Sequence, residues 1–293
     1  MKGKISNWHI LMAGASICAI FFGSGNIVLP LIIGQEAGLN WVAPYIGFVI
    51  GAVFIPILGL IAISLKDGDN KKFFSCIPHK LSVAIQFAIL GILGPFAITP
   101  RCITVSWGGV KAITSDTPLW IFSLIFSICL FYIAKDSDKI MDIVGKILTP
   151  IKLTLLVFVV CVCLLFVPDS IGRTEIFTST NSVMVDFLRG LSDGYQTTDL
   201  IGAIYAGTII IDYLKKISSS QFSKKELLVF GIKSATVGAI ILMILYYLFT
   251  ILAVNYNSAI LNADKEDIFI KIADICLGNI MASVVGITII VSC

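Results

Sequence analysis

The chain has 293 residues, of which 57% are hydrophobic and 13% charged, with a formal net charge of +3 and a mean hydropathy of +0.98. Soluble domains carry about 25% charged residues, so an ordinary soluble enzyme or binding domain is excluded and a polytopic membrane protein is expected. The lysines lie mostly in loops between apolar runs, which argues against a basic nucleic-acid surface; lipid is the expected surrounding.

A membrane-crossing helix needs about 20 apolar residues. Candidate spans run near 8–34, 40–64, 82–108, 117–134, 146–167, 183–214, 226–254 and 268–293, giving about eight. The first is interrupted at Phe22-Gly23-Ser24-Gly25-Asn26, with Pro30 four residues on. Such a break frees backbone polar groups where lipid offers no partner, so it must face protein or a polar cavity. Broken helices of secondary transporters use freed amides and carbonyls in this way to hold substrate and ion. Asn26 offers a side-chain oxygen directly after the turn, fit either for a cation or substrate or for capping the second half-helix.

Clusters Lys2/Lys4, Lys66/Lys71/Lys72/Lys80, Lys135/Lys139/Lys146 and Lys215/Lys216/Lys224/Lys225 alternate with loops holding only Lys111, Arg173 and Lys265. The positive-inside rule then puts the N-terminus in the cytoplasm. No cleavage site ends the first apolar run, so it is read as a span and not a cleaved signal. In the third span, Arg101 follows Gly94-Pro95-Phe96-Ala97-Ile98-Thr99-Pro100. An arginine at that depth either snorkels to an interface or forms an internal ion pair or gate, for which Asp199 is the attractive partner.

The sixth span carries Leu191-Ser192-Asp193-Gly194-Tyr195-Gln196-Thr197-Thr198-Asp199. Charges meeting lipid cost roughly 2.5–3.5 kcal/mol each on insertion scales, so this stretch is expected to line something polar. Asp193 would cap a half-helix or sit in an outer vestibule; Thr197 and Thr198 offer hydroxyls. Phe21, Phe22, Tyr195 and Trp107 either wall an apolar pocket or simply pack. Two broken spans five apart are what a five-helix inverted repeat produces, which divides the chain at 1–167 and 168–293. The eight cysteines lack a CxxC pair or a histidine cluster and read as small hydrophobes; His9 and His79 read as interfacial. Nothing provides a nucleophile, base and acid together, a phosphate loop or a metal cluster, so no enzyme and no organic cofactor are expected.

Three stretches carry a family likeness: Gly23-Ser24-Gly25-Asn26-Ile27-Val28-Leu29-Pro30, Gly94-Pro95-Phe96-Ala97-Ile98-Thr99-Pro100-Arg101-Cys102-Ile103-Thr104-Val105-Ser106, and Gly194-Tyr195-Gln196-Thr197-Thr198-Asp199. Together, in order, they resemble the bacterial branched-chain amino acid:cation symporters. The resemblance implies an all-α fold of the leucine-transporter (LeuT) type, within the amino acid–polyamine–organocation (APC) superfamily. It implies uptake of leucine, isoleucine and valine with Na+ or H+ across the bacterial inner membrane. It also implies a substrate site at Gly23, Gly25, Asn26, Tyr195, Gln196 and Thr197, with Ile103 and Trp107 flanking the side chain. Ala19, Asn26, Thr198 and Asp199 would serve the ion, and Arg101 with Asp199 a gate. Gln196, Thr198 and Leu31 depart from the family pattern. Family members have about twelve spans, so a truncated chain with an incomplete second repeat is expected. The competing readings are a non-transporting remnant or membrane sensor, and a carrier of the same superfamily for another amino acid or a nucleobase.

Overall fold

The computed structural model describes residues 7–111, 113–114, 117–134, 149–167, 178–205, 207–208 and 224–293, and these are helical nearly throughout. The first span is two half-helices, α1 (Asn7–Phe21) and α2 (Ser24–Ala37). A continuous α3 (Val42–Ser64) and a short α4 (Asn70–Phe74) follow. The third span comprises α5 (His79–Gly91) and α6 (Ile98–Lys111); then come α7 (Leu119–Ala134) and α8 (Thr149–Leu165). The sixth begins with α9 (Val183–Gln196) and continues as α10 (199–205). After it come α11 (Lys224–Asn255), the one-turn α12 (Asn257–Ile260), α13 (Ile268–Leu277) and α14 (Asn279–Ser292). Val42–Ser64, His79–Lys111 and Leu228–Asn255 are long and apolar enough to cross a membrane.

The boundaries correct the sequence reading in two places and add a bend in a third. The eighth span is not one helix over 268–293: Gly278, at φ 79°, divides α13 from α14. The third bends at a wide turn, Ile92–Phe96, with Gly94 at φ −101° and ψ −115°, ahead of α6. Pro95, which cannot donate to the ladder, explains why the regular turn fails there. In the sixth, residues 191–196 stay helical and only Thr197 and Thr198 break the rod. Residues 209–214 of that span, Lys2, Lys4, Arg173 and the lysines at 135, 139, 146, 215 and 216 lie outside the described residues.

Small residues set the packing. Gly47 and Gly51 on α3 face α9, at Phe187 and Leu191 and at Gly194, while Gly190 and Gly194 on α9 face α3, at Pro44 and Phe48. A Cβ on Gly190 would stand 1.9 Å from the Pro44 carbonyl, and one on Gly194 2.5 Å from that of Phe48. Backbones approach this closely only where side chains are missing, the usual device of helix pairs in lipid. Gly14 and Gly238 bring α1 against α11, and Gly109 and Gly286 bring α6 against α14. The core runs along α1, α2, α3 and α11, with Phe22, Phe48, Tyr246 and Phe249 at most 1% exposed. Phe87, Phe131, Leu165 and Ile280 instead face outward, at 73–82% exposure, where a bilayer would cover them. The far end of α2 is fixed by side chains: Gln35 Nε2 donates to Ile260 O at 2.6 Å, and Asn257 Nδ2 donates to Gln35 O at 2.6 Å.

Candidate functional site

At the first break, α1 stops because its ladder loses a rung. The Gly23 amide turns to Phe21 O at 3.0 Å and Asn26 Oδ1 at 3.3 Å, which leaves the Ala19 carbonyl without the amide that would close the next turn. The bond to Asn26 Oδ1 is one half of a capping box; glycine has no side chain to supply the other. Pro30 sits inside α2 and lacks an N–H, so the Asn26 carbonyl also loses its helical donor. The Asn26 amide turns to Gly23 O at 3.2 Å, while the amides ahead of it in the first turn of α2 have no intrahelical acceptor. The break therefore offers amides at the start of α2 and carbonyls at Ala19 and Asn26.

The second break is built by threonines. Thr197 Oγ1 donates to Gly194 O at 2.8 Å, drawing the end of α9 inward. Thr198 then takes φ +61°, which an L-residue with a branched Cβ adopts only where its surroundings enforce it. The chain re-enters a helix at Asp199, whose amide lies 3.4 Å from Thr197 Oγ1. A carboxylate in the first turn of α10 suits the positive end of that helix.

The two breaks meet. Asn26 Nδ2 donates to Asp199 Oδ2 at 2.7 Å, and both residues are buried, at 2% and 9% exposure. The same Nδ2 donates to the hydroxyl of Tyr246 from α11. Arg101 reaches in from α6, and its Nη1 donates to the main-chain carbonyl of Gln196 at 2.7 Å. A Cβ on Gly25 would come within 2.7 Å of that nitrogen, so the absence of a side chain at 25 makes room for the guanidinium. Arg101 thus reaches the sixth-span break through a backbone carbonyl, not through the Asp199 carboxylate. Asn26 holds both roles considered for it, capping α2 and joining the breaks.

The remaining sequence candidates are distributed differently. Thr197 is buried beside Asp199, and Ile103 is half-buried on α6 two residues beyond Arg101. The Tyr195 side chain is 54% exposed, and Gln196 Nε2 turns away to Asp193 Oδ1 at 3.1 Å. Their main chain, rather than their side chains, lies at the site. The partners of Trp107 lie at the C-terminal end of α6: its indole N–H donates to Thr117 O at 2.9 Å, and Lys111 Nζ stands 4.1 Å from its ring. Thr198 Oγ1 is engaged by its neighbour's carbonyl, Thr197 O, at 2.5 Å. Tyr246 is the residue that sequence reading missed. It lies in an apolar run, 241–249, and only the side of α11 it occupies distinguishes it from the exposed Tyr247.

Residues 6–293 match the family described as "Branched-chain amino acid transport protein". The chain belongs to that family. It is 31% identical to the branched-chain amino acid permease BrnQ of Bacillus subtilis over 100% of its own length and 67% of the permease's. With the permease BraB of the same organism it shares 31% identity over 95% of its length and 64% of the relative's. A branched-chain amino acid transport system 2 carrier protein of Pseudomonas aeruginosa is 28% identical over 83% of the chain and 56% of that protein. The chain therefore spans about two thirds of the length of the first two relatives and less of the third. No solved structure matches. The family is one of transport proteins rather than enzymes, and the described residues are helical nearly throughout.

Proposed function

We propose that the chain is a secondary carrier that takes up leucine, isoleucine and valine with a coupled cation, Na+ or H+, across the bacterial inner membrane. The observation that carries this reading is the junction of the two breaks through Asn26 and Asp199 at 2.7 Å. The free amides at the start of α2 suit a carboxylate, and the carbonyls of Ala19 and Asn26 suit an ammonium group or a cation. Asp199 is the coupling carboxylate in this scheme and Arg101 the gating cation. The order of elements fits a LeuT-like arrangement, with residues 1–167 as the first repeat, 168–293 as part of the second, and a cytoplasmic N-terminus. An aliphatic pocket separates side chains that differ by one methylene by only about 1–3 kcal/mol, so one site serves all three amino acids.

The test is uptake of radiolabelled leucine by vesicles holding this chain, with sodium and proton gradients imposed separately. Accumulation driven by one gradient, and competed by isoleucine and valine, is expected. Leucine binding without gradient-driven uptake would support a sensor instead; neither binding nor uptake would overturn the assignment.

A further inference from the structure

The side-chain contacts that join the two breaks leave over one buried hydroxyl hydrogen. The Asn26 amide commits its nitrogen to Asp199 Oδ2 and to the Tyr246 hydroxyl, and its oxygen to the Gly23 amide. A tyrosine hydroxyl both accepts and donates. Here its oxygen accepts from Asn26, while its own hydrogen meets no acceptor among the described residues. Tyr246 is 0% exposed, so water does not take that hydrogen from the surface, and a buried donor left unmade is unfavourable. The ring is held edge-on against Phe48, with centroids 5.1 Å apart at 80°, which keeps the hydroxyl beside the first break. The nearby guanidinium of Arg101 gives one of its five N–H groups to the Gln196 carbonyl at 2.7 Å.

We propose that Tyr246 positions the substrate by donating its spare hydroxyl hydrogen to the carboxylate of the bound amino acid at the start of α2. This rests on the reading of the chain as a branched-chain amino acid carrier. The phenol then adds a side-chain donor to the main-chain amides of the broken helix, and α11 joins the first and sixth spans in recognising the backbone of the zwitterion. Its partner through Asn26 is Asp199, so the same amide links the carboxylate's donor to the sixth-span break.

Equilibrium binding of radiolabelled leucine to the purified chain, with leucinol as a competitor that lacks the carboxylate, tests the assignment. Tyr246→Phe keeps the ring and removes the hydroxyl. Its leucine affinity is expected to fall about tenfold, the effect of one hydrogen bond to a charged group, with leucinol affinity unchanged. Equal losses for both ligands, or no loss for either, would overturn it, because a merely structural role does not distinguish them. Should Tyr246→Phe fail to insert, 3-fluorotyrosine placed at position 246 gives a second readout by fluorine NMR. Leucine should shift its resonance and leucinol should not; identical responses to the two would count against the proposal. A wild-type chain that binds none of the three amino acids removes the carrier reading, and this inference with it.

Discussion

Asn26 concentrates more of the site than any other side chain. It caps α2, bridges to Asp199 at 2.7 Å and meets Tyr246. Asn26→Ala would leave the Asp199 carboxylate buried without that donor, a loss of about 1–3 kcal/mol. Leucine uptake should therefore disappear while the protein still inserts, which uptake and membrane-fraction blots together would check. Gly25 and Arg101 form a second test. A Cβ at 25 pushes on Nη1 at 2.7 Å, so Gly25→Ala and Arg101→Ala should reduce uptake alike. The double variant should be no worse than the poorer single one, since both act on one contact. The asparagine was legible in the sequence because glycines and a proline flank it. Tyr246 was not, because in an apolar run nothing local says which of two adjacent tyrosines turns toward the polar centre.

Helix pairing explains why the sixth-span break was drawn too early from sequence. Gly194 looks like a breaker among Ser192, Asp193 and Gln196, yet α9 continues through it. The glycine is a contact surface, where an added Cβ would stand 2.5 Å from Phe48 O, and the polar side chains at 193 and 196 turn toward each other on the helix surface. The break falls on two threonines, a type that local propensity does not mark, because a positive φ at Thr198 is imposed by its surroundings. Gly194→Val should accordingly unseat α9 from α3, with a cost of about 2 kcal/mol or more, seen as a lower unfolding temperature in detergent. Gly202 has nothing within 4 Å of its Cβ position, so Gly202→Ala should hold or raise that temperature, by about 0.5–1 kcal/mol for alanine over glycine in a helix.

Over the whole molecule, the sequence carried the class, the paired breaks and the family, because composition and glycine punctuation are written locally. The division at Gly278 and the crossing that brings Tyr246 of α11 to Asn26 depend on contacts far apart in the chain. Arg189 pairs with Glu36 to tie α9 to α2, and Lys111 pairs with Asp267 at 3.1 Å to tie α6 to the segment before α13. Both pairs are partly exposed, where such bridges contribute about 0–1 kcal/mol. Arg189→Ala should thus lower the unfolding temperature less than Gly194→Val does. The central claim is that the first and sixth spans meet at their breaks, and cysteine cross-linking tests it most directly. With the native cysteines replaced, Asn26→Cys together with Asp199→Cys should be joined by a short bifunctional thiol reagent in intact membranes, as should a Lys111→Cys and Asp267→Cys control. Cross-linking of the control without any of the Asn26 and Asp199 pair would contradict the account.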